Sequence, residues 1–146
     1  MAEPPVGPEP VEPPIDVRLQ PAVLLCIAAG GALGALARYG VTRSIHVRAD
    51  GFPSATFTIN LVGAFVLGCF LTVLHRRNLQ PRLLRPLFAI GFLGAFTTFS
   101  TMAVETVTLV KDHHALLGVS YLLVSVAAGL VMGALGVFAG RAAAGC

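Results

Sequence analysis

The run Gly91-Phe92-Leu93-Gly94-Ala95-Phe96-Thr97-Thr98-Phe99-Ser100-Thr101-Met102 gathers unusual chemistry inside an apolar segment. It holds two glycines, three phenylalanines and four hydroxyl side chains within twelve residues. A helix that only anchors a chain in lipid is filled with Leu, Ile and Val. Glycines and hydroxyls at membrane depth are tolerated where the backbone opens and is buried in protein or lines a polar cavity. The run therefore reads as the working part of a channel or transporter rather than an anchor. Other polar residues fall in apolar segments too: Arg38, Asn60, Glu105, Tyr121 and Ser125. Such residues are costly in hydrocarbon and usually face an interior or a wet cavity. Singly, each has a plain alternative. Arg38 can snorkel to the headgroups, the Asn60 amide can bridge two helices, and Glu105 and Tyr121 can sit at the interface.

Membrane helices must position these groups. The chain is 55 % hydrophobic and 12 % charged, with a mean hydropathy of +0.81. A soluble domain of 146 residues cannot hide that much apolar surface, so the class is integral membrane protein. Uncharged stretches at 22–37, 51–74, 86–104 and 115–140 are the candidates. About 20 apolar residues span the hydrocarbon core. The last three qualify outright, and the first does so if it continues past Arg38 to about Val41. The expected architecture is an all-α membrane domain over 21–141, with helices at about 21–41, 52–74, 84–110 and 115–140.

Residues 1–20 carry six of the ten prolines and four acids, and read as a disordered cytoplasmic tail. The start lacks a basic n-region and a cleavage site, so the first apolar segment is expected to stay in the mature protein. The net charge of +3 is not a nucleic-acid signature, because the basic residues lie in loops beside membrane segments, where they fix topology. Arg18, Arg76, Arg77, Arg82, Arg85 and Arg141 fall on one side; Arg43, Arg48 and Lys111 fall on the other. Six against three favours cytoplasmic termini.

Cys26, Cys69 and Cys146 show no pairing pattern, and His113-His114 has no third ligand nearby and reads as a solvated loop. No nucleophile–base pair, phosphate loop or metal-ligand cluster is present, so the chain is not read as an enzyme. Gly30/Gly34, Gly129/Gly133 and Gly136/Gly140 are each four apart, a spacing that lets helix backbones approach closely. Tyr121, Ser125 and Gly129 share one helix face.

Taken together, three ordered motifs resemble the Fluc (CrcB-type) fluoride channels over about residues 25–140. The first, Gly30-Gly31-Ala32-Leu33-Gly34-Ala35-Leu36-Ala37-Arg38-Tyr39, is similar to the family's GGxxGAxxRY. Thr56 to Phe65 with Asn60 and Gly68 is similar to TxxVNxxGxFxxG, and the opening run followed by Glu105 is similar to GFxGGxTTFSTF. The resemblance implies a dimer of subunits in opposite membrane orientations, with two fluoride paths along the boundary. It also implies a structural Na⁺ on the two-fold axis, held by carbonyls of Gly94 and Thr97 where the third helix breaks. Physics agrees: a break frees carbonyls in a dry place, a hard cation prefers oxygen, and Gly94 offers flexibility for the break. The other reading is a continuous helix, with Thr97 and Thr98 bonding back to their own turn.

Fluoride accepts hydrogen bonds and donates none, so a path must offer donors yet release the ion. Asn60 has its NH₂ group, and Thr98, Ser100 and Ser125 have hydroxyls. Phe99 has the positive edge of its ring. By resemblance Asn60 and Phe99 line the path, Tyr121 and Ser125 form a polar track, Arg38 attracts anions at a vestibule and Glu105 lies near a pore mouth. Two positions depart from the family: Met102 stands for a second phenylalanine, and Ala95 for a second glycine. Met102 lacks aromatic C–H edges, which raises a heterodimer of related subunits, one inactive alone, as an alternative to a homodimer. A proton-coupled multidrug exporter is a weaker reading, since the first helix has no acid and the chain no Trp. The expected setting is the cell's inner membrane, where passive fluoride exit relieves toxicity.

Overall fold

The computed structural model describes residues 20–45, 51–79 and 82–145. The expected disordered tail lies outside them. The described residues form helices α1 (Pro21–Ser44), α2 (Ser54–Arg76), a π-helical segment (Arg85–Leu93), α3 (Gly94–Phe96), α4 (Phe99–Lys111) and α5 (Ala115–Ala144). Four units are long and apolar enough to cross a membrane, the third being Arg85–Lys111 with its internal break. In each, only 11–22 % of the most apolar window is buried within the protomer. Most of the apolar surface faces outward, which suits hydrocarbon and not water.

Local chemistry explains the boundaries. Pro21 opens α1, where its missing N–H is no loss. The helix runs three residues past the expected Val41, with Thr42 and Ser44 hydroxyls bonding back to the Arg38 and Gly40 carbonyls at 2.9 and 2.8 Å. Helix α2 starts at Ser54 rather than 52, because a residue before proline, here Phe52, is biased away from helical geometry. Two turns end on non-glycine residues in the left-handed region, Asn78 (φ 49°) and His113 (φ 66°). Beside each, a backbone bond closes the helix end: Leu79 N–H to Leu74 O at 3.0 Å, and His114 N–H to Leu109 O at 2.9 Å. Helix α5 continues to Ala144, beyond the expected 140, because Arg141 and the alanines after it are strong helix formers.

Glycine-to-backbone approaches hold the helices together. A Cβ on Gly30 would overlap the Leu87 carbonyl, and one on Gly34 the Phe92 carbonyl, so α1 lies directly on the π-helical segment. Helix α2 lies along α5 in the same way, with Gly136 against the Phe65 carbonyl and Gly140 against Cys69. The expected pair Gly129/Gly133 divides: Gly133 meets α2 next to Gly68, but Gly129 has nothing within 4 Å. Helix α4 leans on α5 through a small buried cluster of Met102, Leu109 and Tyr121. Among the described residues, α5 touches neither the π-helical segment nor α3, and α1 touches neither α4 nor α5. Helix α2 is the common support, and the gaps between its neighbours are grooves.

Candidate functional site

The third span breaks at Thr97 and Thr98, which are both extended (φ −78°, ψ 155° and φ −151°, ψ 119°). Gly94, expected to supply the flexibility, is ordinary helix at φ −64°, ψ −33°. The break lies three residues later and needs no left-handed backbone. Thr97 does bond back to its own turn, its amide and hydroxyl both donating to the Leu93 carbonyl at 3.0 and 2.8 Å. The helix stops all the same, so the continuous-helix reading is set aside. Room for the Thr97 methyl comes from Gly63 on α2, where a Cβ would overlap it.

Asn60 holds the break open. Its Nδ2 donates to the Thr98 carbonyl at 3.0 Å, and its Oδ1 accepts the Thr98 amide at 2.8 Å. The side chain thus replaces a strand partner for one residue of extended chain. The Thr98 amide would bond the Gly94 carbonyl in a continuous helix. The Thr101 amide would likewise bond Thr97, but it donates to Thr98 Oγ1 at 3.2 Å, capping α4. The Gly94 and Thr97 carbonyls thereby lose their helical donors. Freed oxygens of this kind fit a hard cation such as Na⁺, and Gly94 lies on the exposed surface of the protomer.

Two grooves flank the break. One, of about 400 Å³, has α2 as its floor at Asn60 and Gly63, with Gly94 on one wall and Ser125 and Gly129 on the other. Phe99 and Met102 close its end. Here Gly129 finds its purpose: it keeps a wall open rather than packing a helix. Ser125 is 4 % exposed, and its Oγ has no hydrogen-bond partner. Asn60 has one N–H left over after serving Thr98. The groove is therefore lined by Asn60 with an N–H to spare, by Ser125 with its unpartnered hydroxyl, and by the Phe99 ring. Phe99 is 70 % exposed, whereas Met102 is buried and forms fixed wall.

The second groove, about 530 Å³, lies between α1 and α4 and is lined by both Arg38 and Glu105. Thr98 lines both grooves, so the broken backbone stands at their junction. Glu105 is tied down. Thr56 Oγ1 donates to its Oε1 at 2.8 Å, and Tyr121 donates to its Oε2 at 2.7 Å. Tyr121 is fully buried, with Phe52 edge-on against its ring at 5.2 Å. It lines neither groove of the single protomer. Tyr121 positions Glu105, while Ser125 and Gly129 on the same helix face reach the groove. Ser100 is also outside both walls; its hydroxyl sits 3.2 Å from Thr98 Oγ1. Sequence reading passed over Thr56 and Thr101 as site residues. The signal for Thr56 was available, because a membrane carboxylate needs donors and few hydroxyls lie at the right depth.

A four-span membrane protein with a broken third span, and polar grooves meeting at the break, is of the ion-transport class. More narrowly, the chain belongs to the CrcB family: the model described as "CrcB-like protein, Camphor Resistance (CrcB)" matches residues 25–137. "Fluoride-specific ion channel FluC 1" of Mycolicibacterium paratuberculosis is 46 % identical over 108 residues, 74 % of this chain and 82 % of that protein. "Fluoride-specific ion channel FluC 2" of Nocardia farcinica is 40 % identical over 133 residues, 91 % and 92 % of the two chains. "Fluoride-specific ion channel FluC" of Saccharophagus degradans is 42 % identical over 102 residues, 70 % and 77 %.

Proposed function

We propose that this chain is a subunit of a fluoride-selective passive channel that lets cytoplasmic fluoride leave the cell across the inner membrane. The observation that carries the reading is the free hydroxyl of Ser125, buried in a groove that also holds the spare N–H of Asn60 and the ring of Phe99. A buried donor without a partner costs stability, and an acceptor-only anion is the species that would use it. Arg38 in the vestibule supplies the attracting charge, while Thr56 and Tyr121 hold Glu105 in place in the same groove. Passive flow suits such a path, because neither Asn60, Ser125 nor Phe99 titrates near neutral pH. A negative-inside potential drives the anion outward with about 2.3 kcal/mol per charge per 100 mV.

The working unit is a dimer. Freed carbonyls at membrane depth must be covered by protein, and Gly94 is exposed on the single protomer, as is Phe99. A second copy in the opposite orientation, or a related subunit, covers that face. The Gly94 and Thr97 carbonyls of both subunits would hold a structural Na⁺, which supplies positive charge that neutralises the freed oxygens and fixes the subunits together. Liposomes containing the purified chain alone and loaded with fluoride test the reading by electrode, with chloride-loaded liposomes as control. Rapid fluoride-selective efflux supports a self-sufficient channel with Met102 in place of a ring. Silence from inserted protein, reversed by a co-expressed relative, supports the heterodimer instead.

A further inference from the structure

A third groove of about 940 Å³ lies away from the conducting residues, between the end of α2 and the start of the π-helical segment. Its floor is apolar, with Leu71 and Leu74 from α2 and Pro86 from the facing segment. Its rim is cationic through Arg82 and Arg85, with His75 beside them. Leu71, Leu74 and His75 recur at three- and four-residue spacing, so one face of α2 offers floor and rim in succession. No acidic side chain lines it among the described residues. Arg82 and Arg85 are exposed, and being on the segment that leads into the membrane they meet headgroups rather than hydrocarbon.

We propose that this groove binds an anionic phospholipid, with the phosphate held by Arg82 and Arg85 and an acyl chain lying over Leu71 and Leu74. Charge complementarity selects the anionic head. The apolar floor selects a tailed ligand over free phosphate, which would leave that floor uncovered. Basic pockets between membrane helices have this affinity for anionic lipid heads. The site is independent of the fluoride reading, because none of its residues lines the other two grooves.

Native mass spectrometry of the detergent-solubilised full chain tests the assignment, using added phosphatidylglycerol, phosphatidylcholine or inorganic phosphate. Phosphatidylglycerol adducts should dominate over phosphatidylcholine. The double variant R82A/R85A should weaken them about thirtyfold, since each surface cation contributes roughly a factor of five to lipid attraction. The charge-retaining variant R82K/R85K should keep most of the binding, and equal elution of all three proteins in gel filtration controls for folding. Equal adducts with phosphatidylcholine would overturn the proposal. So would unchanged phosphatidylglycerol binding by the alanine variant, or displacement of the lipid by millimolar inorganic phosphate.

Discussion

Asn60 and Thr98, 38 residues apart, form a two-bond pair in which one side-chain amide serves both backbone groups of the residue at the break. The pair ties α2 to the third span where that span loses its helical bonds. Asn60 is thus a structural clamp with one N–H left over for a ligand, and the bridging and conducting readings of this residue are compatible.

Asn60→Ala should therefore fail on both counts. Each orphaned backbone group of Thr98 costs about 1–3 kcal/mol, so thermal unfolding in detergent should fall markedly. Fluoride efflux should drop at least about tenfold, the factor corresponding to about 1.4 kcal/mol. Asn60→Asp keeps the acceptor for the Thr98 amide but loses the donor and repels anions. It should lose efflux even where stability is partly recovered.

Ser125→Ala separates function from stability in the opposite sense. Removing a buried hydroxyl without a partner should leave the unfolding temperature unchanged or raise it. Losing one donor to an ion, worth about 1.5 kcal/mol, should slow efflux about tenfold. A variant that unfolds earlier yet conducts normally would show that Ser125 has a hidden structural partner.

Two glycines on α5 make a matched comparison. Gly136→Ala drives a methyl into the Phe65 carbonyl, and overpacking of that kind costs about 1–3 kcal/mol. Gly129→Ala meets nothing within 4 Å and should gain up to about 1 kcal/mol of helix propensity. Unfolding curves should rank the two accordingly, while efflux should fall for Gly129→Ala because the methyl narrows the groove.

Na⁺ held, as proposed, by the freed carbonyls of Gly94 and Thr97 would make stability depend on that ion. An ion at a hundred times its dissociation constant contributes about 2.7 kcal/mol. Exchanging Na⁺ for N-methylglucamine should then lower Tm by on the order of 5 °C. Identical melting in both salts would remove the ion from the account.

Much of this was legible in the sequence. Four spans follow from hydropathy, and the composition from Gly91 to Met102 marks the opening within the third. The position of the break within that run was less legible. A glycine is the natural suspect, yet a backbone that turns merely extended needs no glycine, and Thr97 and Thr98 carry the opening. The π winding of Arg85–Leu93 left no trace, because so short and mostly apolar a run cannot betray a change from four-residue to five-residue bonding. The Tyr121 partner was illegible for a related reason. Its helix face was read correctly, but which neighbour that face meets depends on Glu105, sixteen residues away across a turn.

Reversal potential in planar bilayers under opposed fluoride and chloride gradients separates a fluoride-selective path from any other. With fluoride ten times higher on one side and chloride ten times higher on the other, the potential should be set by fluoride alone, about 59 mV in magnitude, and unmoved by a pH gradient. A potential that follows chloride, or that shifts with the proton gradient, would contradict a passive fluoride-selective path.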